Sequence, residues 1–454
     1  MKLIYDVNDK PKLGQLIIFA IQQLLAIMTA TLVVPVIVGN GMSPAAALLG
    51  AGVGTLVYVL FTQKKSPVFL GSSFAFIASM AAAFAGAVSL AAGYAGLLIG
   101  AAFAGLVYVI IAIIVKISGV AWINKVMPPV VIGPTVAIIG LSLAGNAVSD
   151  LLKGNVTGAD GVMLASPLLT VLCGVVTLII TIVSSTYGKK YGKLIPFIFG
   201  ILGGYALAGI FTIIGNCCNV DAMKILNVAP FAALLEDGKV TLATFLSVPD
   251  FTFTTAFKGF GEITGSYVGT IAMAYVPVAF VVFAEHIADH KNISSIIEKD
   301  LLEEPGLHRT LLGDGIGSLV GALFGGCPNT TYGESVGCVA ITKNASVYTI
   351  ITAAVLAIII SFISPFIAFV NSIPSCVMGG VCMALYGFIA VSGLKMVQGV
   401  DLNQNKNLFV VSTILIAGIG GLTLTFGKIT ITSIACALIL GIIVNLVVSK
   451  AKED

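Results

Sequence analysis

The chain has 454 residues, of which 58% are hydrophobic and 9% charged, with a mean hydropathy of +1.09. Soluble domains carry about 25% charged residues, so a soluble protein is excluded; 23 Lys and Arg against 20 Asp and Glu leave only +3, with no basic face for nucleic acid. Fifty-one glycines beside one tryptophan exclude a plain bundle of long leucine-rich helices, because glycine at that frequency implies close helix contacts and broken segments.

A spanning helix needs about 20 apolar residues. In chain order the candidates lie near 14–38, 44–62, 68–88, 92–115, 128–146, 166–186, 194–214, 264–288, 310–326, 330–342, 346–369, 374–393, 407–426 and 429–448, about 14 in all. The charged start, Met1 to Lys12, leads into an apolar run too long for a cleavable signal, so an uncleaved first helix is expected to direct insertion. The third and tenth candidates are poor helices. Residues 215–262 mix charged and apolar residues, among them Ile225, Leu226 and Phe231, and read as an external connection with the capacity for a surface helix. Residues 291–309 read as a short internal charged helix closed by Pro305 and Gly306. The eight cysteines have no metal spacing; Cys173, Cys376, Cys382 and Cys436 are expected as small packing residues, and the adjacent Cys217 and Cys218 cannot easily bridge each other.

With the amino terminus inside, 18 Lys and Arg residues, among them Lys2, Lys64, Lys65, Lys190, Lys193, Lys450 and Lys452, fall on inner connections. Only five, Lys153, Lys224, Lys239, Lys258 and Lys428, fall outside. This bias predicts an even number of spans and two cytoplasmic termini. The tail from Lys450 to Asp454 is too short for a regulatory domain, and with no organelle signal visible a bacterial plasma membrane is the expected location.

Two pairs of segments repeat at an offset of seven spans. Met127 to Gly133 (MPPVVIG) opens the fifth span and Ile373 to Gly379 (IPSCVMG) the twelfth, in register at Pro, Val and Gly. Pro67 to Phe74 (PVFLGSSF) opens the third and Pro328 to Glu334 (PNTTYGE) the tenth; both begin with Pro, carry Gly and hydroxyl residues, and read as half-extended. An odd offset inverts one copy across the bilayer, which predicts two inverted repeats of seven spans. Extended backbone at membrane depth is tolerated only where it is buried in protein or lines a cavity, so the third and tenth segments point to a binding site.

Each extended-to-helix junction offers backbone N–H groups and the positive end of a helix. Glu334 stands at the tenth-segment junction and Glu285 lies within the eighth span; acids inside spans are costly and usually functional. Two carboxylates with backbone donors suit a neutral ligand that has both N–H and C=O groups, such as a pyrimidine or purine base. Glu285 has His286 and His290 as alternative structural partners, and Glu334 can cap its own helix. His286 is a proton-coupling candidate or a hydrogen-bonded packing residue. Asp289 follows Glu285 by one turn on the same face, so a proton path is its reading if it does not lie with His290 in an inner vestibule or at the headgroups.

These residues resemble the nucleobase/ascorbate transporters, in the form carried by bacterial uracil permeases. The resemblance is carried by Pro328 to Lys343 (PNTTYGESVGCVAITK), Gly71 to Ile77 (GSSFAFI), Ala284-Glu285-His286, Asp300-Leu301-Leu302 and Pro305 to Arg309 (PGLHR), and runs from Tyr5 to about Gly420. It implies an all-α polytopic membrane protein of 14 spans, with a core domain formed by 1–120 and 260–370 and a gate domain formed by 121–259 and 371–454, dimeric through the gates. It further implies that Glu285 and Glu334 accept the ring N–H groups of a base, that the main-chain N–H groups of Phe74 and Gly333 donate to its carbonyls, and that Ala30 and Tyr332 line the site. Three positions depart from the family pattern: Gln23 stands for the usual His of a Gln-His pair, Ser335 for an Asn of the signature, which makes it the specificity candidate, and Asp289 for a His. A carboxylate titrates below an imidazole, so sodium stands beside the proton as coupling ion.

The expected function is proton symport of uracil or a close pyrimidine, with no cofactor beyond the ion, the core moving against the gate along the glycine-rich faces Gly93 to Gly105 and Gly379-Gly380. A xanthine or other purine permease is the alternative. An anion transporter of the same architecture would want a Lys or Arg at depth, which the candidate segments lack. A membrane enzyme would have only Glu285, His286, Asp289 and His290 to work with, and a channel needs no paired broken segments.

Overall fold

A computed structural model describes residues 3–158, 161–189, 192, 195–235, 238–426 and 429–449. Lys2, Lys190, Lys193, Lys428, Lys450 and Lys452 of the charge count, and the tail that begins at Lys450, lie outside the described residues. Among the described residues eight helices are long and apolar enough to cross a membrane: Leu13–Val38, Pro44–Phe61, Leu90–Ser118, Pro129–Leu151, Pro167–Tyr187, Pro196–Cys218, Gly265–Ile297 and Ser375–Val397. Shorter apolar helices cover Phe74–Ala85, Val347–Ile360, Asn405–Ile419 and Ser433–Val448. The helices Leu307–Gly325, Gly333–Thr342 and Ser364–Ser372 are further apolar elements. The protein is a mostly helical membrane protein.

The third and tenth segments are half-extended. Strand β1, Leu70–Ser72, runs into a 3-10 turn, Phe74–Phe76, and the helix Ile77–Ala85; strand β2, Asn329–Thr331, runs into the helix Gly333–Thr342. The strands pair antiparallel in the register Leu70↔Thr331, Gly71↔Thr330, Ser72↔Asn329, and all six residues are buried.

Three expectations are corrected. The eighth span does not end near residue 288: the helix Gly265–Ile297 continues for 33 residues, about 50 Å at 1.5 Å per residue. No Pro or Gly interrupts Glu285 to Ile297, and the helix stops only where Glu298 turns to φ 55°, so the charged segment after residue 290 is its last turns, followed by a separate turn over Leu302–Gly306. Among the described residues 215–262 form no single long helix after Cys218; they are divided into short turns, the four-residue helix Ala229–Ala232, whose first turn holds Pro230, and the eight-residue helix Thr252–Gly259. Residues 407–426 and 429–448 are not helical throughout: Leu424–Phe426 (β3) and Ile429–Ile431 (β4) pair antiparallel, where Leu422 to Phe426 and Ile429 to Thr432 alternate apolar residues with Thr at the period of a strand.

The chain forms two compact units. The first contains residues 1–142, 250–358 and 388–454. In it the helix Leu307–Gly325 lies between Pro44–Phe61 and Leu90–Ser118, and all three meet through glycine. A Cβ on Gly54 would sit 2.7 Å from the Gly317 carbonyl oxygen and one on Gly317 2.7 Å from that of Gly54, while Gly105 and Gly315 face each other at 3.0 and 3.2 Å. Gly93, Gly96 and Gly100 are filled by Phe84, Tyr267 and Tyr275, so this glycine row is packed inside its own unit. A segment near the amino terminus lies parallel to residues 343–347, with Ile4 N–H on Lys343 O at 2.7 Å and Val347 N–H on Val7 O at 3.0 Å. Asp6 is 2.6 Å from Lys299, whose ammonium holds the Asp6 carboxyl below its usual range.

The second unit contains residues 143–249 and 359–387. Its helices Pro167–Tyr187 and Pro196–Cys218 close on each other where Gly200 and Gly204 receive Thr181 and Thr177. Gly379 and Gly380 seat on Ala147, Leu151 and Gly174, again within the unit. Cys173, Cys376, Cys382 and Cys436 are buried free thiols, and Cys217 and Cys218 are exposed and unbridged.

Filling a reciprocal glycine contact forces backbones apart. Gly54→Leu is expected to lower the unfolding temperature of the detergent-purified protein by about 5 °C or more, whereas Gly14→Leu, at a site with nothing within 4 Å, should leave it within about 1 °C.

Candidate binding site

The site is built where the two strands cross. In the ladder, Tyr332 N–H reaches Phe69 O at 3.2 Å and Ser73 N–H reaches Pro328 O at 2.9 Å, so the bonded pairs extend beyond the strands at both ends. The outer edge of β1 is satisfied by a side chain: Thr55 Oγ1 accepts Leu70 N–H at 2.9 Å and donates to Leu70 O at 3.2 Å. The Asn329 side-chain amide donates to Gly50 O at 3.1 Å and ties β2 to the helix Pro44–Phe61. Gly71 has no side chain because a Cβ there would strike the Tyr332 ring and the hydroxyl of Thr31, the neighbour of buried Ala30; the Tyr332 hydroxyl donates to Ser72 O at 2.7 Å and the Thr31 hydroxyl to Ile27 O at 3.0 Å.

At the carboxyl end of β2 the helix Gly333–Thr342 begins. Gly333 is exposed and Glu334 half-buried, while Thr331, Tyr332 and Ser335 on either side are buried. Glu334 is the second residue of this helix, so its carboxylate stands in the first turn, at the positive end of the helix. The helix Gly265–Ile297 supplies Glu285, half-buried, and one turn later Asp289, 7% exposed. Asp289 Oδ2 accepts the Thr331 hydroxyl at 2.9 Å, and its Oδ1 is 3.7 Å from where a Cβ on Gly333 would stand. Glu285, Asp289, Glu334 and Asp314 are near enough to act on one another electrostatically, and among the described residues none of them pairs with Lys or Arg. Phe74 is buried and opens the 3-10 turn of the third segment. The crossing therefore gathers Glu285, Glu334, Asp289, Gly333 and Tyr332 at one end of the ladder, with an exposed backbone junction beside two half-buried acids.

The histidines are placed otherwise than their proximity to Glu285 in sequence implies. His286 is fully buried, with Nδ1 2.7 Å from Asp314 Oδ2 and Nε2 3.0 Å from Thr310 Oγ1. His290 is also fully buried, so it lies neither at the headgroups nor in an open vestibule; its Nδ1 meets His286 O at 2.8 Å and its Nε2 the Tyr58 hydroxyl at 2.7 Å. The two rings stack at 4.0 Å. Every ring nitrogen is committed to a protein group, so the pair neither partners Glu285 nor presents a shared ligand face. Asp314 is not among the residues to which the sequence points as a site, although it is the one charged residue between Thr310 and Gly325, a signal the rule for intramembrane acids provides. Thr331 as the partner of Asp289 carried no such signal.

Comparison with known proteins agrees with this architecture. The sequence profile of the Permease family matches residues 14–427. The chain belongs to this family, the nucleobase/ascorbate transporters. It is 39% identical to the uracil permease of Bacillus caldolyticus over 98% of this chain and 95% of that one, 37% identical to the uracil permease of Bacillus subtilis over 100% and 97%, and 35% identical to the uracil permease of Escherichia coli over 97% and 93%. Among solved structures, the transmembrane domain of a cyanobacterial bicarbonate transporter has a TM-score of 0.61 at 15% identity, over 97% of this chain and 99% of that one. The murine Solute Carrier 26 family member A9 anion transporter in its inward-facing state has a TM-score of 0.61 at 10% identity, over 97% and 69%. The structural likenesses establish a shared fold. This transporter is an integral membrane permease, not an enzyme.

The buried His286–Asp314 pair should behave as one unit in stability. Asp314→Leu and His286→Leu are each expected to destabilise the permease by about 3 kcal/mol, since each strands its partner in a dry interior. The double variant should be no less stable than either single one in thermal unfolding; additive losses would contradict the pairing.

Proposed function

We propose that this permease imports uracil by proton symport with alternating access. The supporting observation is the exposed Gly333 junction flanked by half-buried Glu285 and Glu334 at the end of the strand crossing; the uracil permease relatives favour the same substrate. Uracil presents two ring N–H groups and two carbonyls. Carboxylates of Glu285 and Glu334 accept the former, and main-chain N–H groups at the starts of the third- and tenth-segment helices, from Phe74 and Gly333, donate to the latter. Ala30 and Tyr332 close the sides. Among the described residues no Lys or Arg pairs with these acids, which suits a neutral base and disfavours an anion.

An ionised carboxylate within a bilayer is costly and a proton removes that cost, so proton and base enter together from the acidic side, and loss of the proton inside loosens the base. Asp289, bonded to Thr331 on the strand itself, is the residue that links protonation to the geometry of the tenth segment; His286 serves the structure through Asp314. The remaining features of this reading are 14 spans in two inverted repeats of seven, a core formed by 1–120 and 260–370 moving against a gate formed by 121–259 and 371–454, dimerisation through the gates, and cytoplasmic termini.

Purified wild-type protein should be stabilised against heat by uracil and not by xanthine, hypoxanthine, ascorbate or sulfate, and Glu334→Gln should lose that response by weakening uracil binding at least about 100-fold. In vesicles, an outside-acid gradient should raise the initial rate of labelled uracil uptake. Stabilisation by a purine alone would transfer the substrate class, and uptake indifferent to the gradient would refute proton coupling.

A further inference from the structure

The bonds around Ser335 are not those of a pocket residue. Phe69 and Tyr332 form the pair next to Leu70↔Thr331 in the ladder, and a bonded antiparallel pair exchanges two N–H···O bonds. One is made, from Tyr332 N–H to Phe69 O. The other is replaced, because the Tyr332 carbonyl accepts Val336 N–H at 3.2 Å as the first bond of the helix Gly333–Thr342. Phe69 N–H, buried at the strand-to-helix junction, donates instead to Ser335 Oγ at 2.9 Å. The side-chain amide of Gln23, on the helix Leu13–Val38, donates to the same hydroxyl and lies 3.4 Å from the Ser335 carbonyl. Ser335 and Phe69 are 0% exposed and Gln23 is 2% exposed. A serine hydroxyl has two acceptor positions, and Phe69 and Gln23 occupy both.

We infer that Ser335 and Gln23 are positioning residues that splice the strand ladder to the helix carrying Gly333 and Glu334, and that Ser335 does not read the base. The hydroxyl stands in for the carbonyl that the helix withdraws from the ladder, and Gln23 fixes that hydroxyl from the first helix. The two positions that depart from the family pattern on these segments thus meet each other rather than the ligand. The functional consequence rests on the reading of Gly333 and Glu334 as base-binding groups.

The test compares wild type with Ser335→Ala, Ser335→Thr, Gln23→Leu and the Gln23→Leu/Ser335→Ala double variant. Uracil affinity is measured on folded, purified protein, thymine and xanthine serve as competitors, and amide hydrogen exchange is followed around Phe69 without ligand. Ser335→Ala and Gln23→Leu should each weaken uracil about 10-fold, the loss expected for one buried bond, with the order of competing bases unchanged. The double variant should be no weaker than Ser335→Ala by more than about twofold, Ser335→Thr should stay within about twofold of wild type because it keeps the hydroxyl, and exchange at Phe69 should accelerate in Ser335→Ala but not in Ser335→Thr. Wild-type affinity in Ser335→Ala, a reordering of the competing bases, or additive losses would overturn the inference. If wild type itself does not bind uracil, the functional reading fails, and exchange at Phe69 alone decides whether the splice exists.

Discussion

Backbone N–H and C=O groups inside a bilayer have no water to turn to, so two segments that leave helical geometry there must complete each other's bonds. In this chain β1 and β2 do so, 259 residues apart at the pair Gly71↔Thr330. Other features follow from satisfying the groups the ladder leaves over. Thr55 closes the outer edge of β1, the Tyr332 hydroxyl takes Ser72 O, and Ser335 takes Phe69 N–H. The glycines of Pro44–Phe61 and Leu307–Gly325 let those helices approach closely enough for Asn329 to reach the Gly50 carbonyl. At the exposed Gly333 junction the start of a helix stands beside the half-buried acids.

The chemistry of the crossing separates two kinds of buried acid. Asp314 is held by His286 and belongs to the packing of the unit. Glu285 and Glu334 stay half-buried at the junction, and Asp289 joins them through Thr331. The fold is shared with solved anion transporters, so it does not by itself select a substrate; the proposal of a neutral base rests on the side chains at the junction.

Much of this was legible in the sequence for physical reasons. Proline followed by glycine and hydroxyl residues cannot continue a membrane helix, so Pro67 to Phe74 and Pro328 to Glu334 announced extended backbone; Glu285 and Glu334 stood out because acids are scarce in apolar runs. Contacts between distant segments did not show: Gln23 with Ser335, Asp314 with His286 and Tyr58 with His290 are set by tertiary packing, and no local pattern encodes a partner. Hydropathy also concealed local structure. It weighs residues 422–432 as apolar and does not register the alternation with Thr that pairs β3 with β4, and it ends the eighth span where the apolar run ends although the helix continues to Ile297.

The most direct measurement is an experimental structure of the protein with uracil bound. The base should lie at the end of the β1–β2 ladder, with ring nitrogens and carbonyls about 3 Å from Glu285, Glu334 and the Gly333 main-chain nitrogen. Uracil bound away from the strand crossing, or against Ser335 with Glu334 uninvolved, would contradict the account.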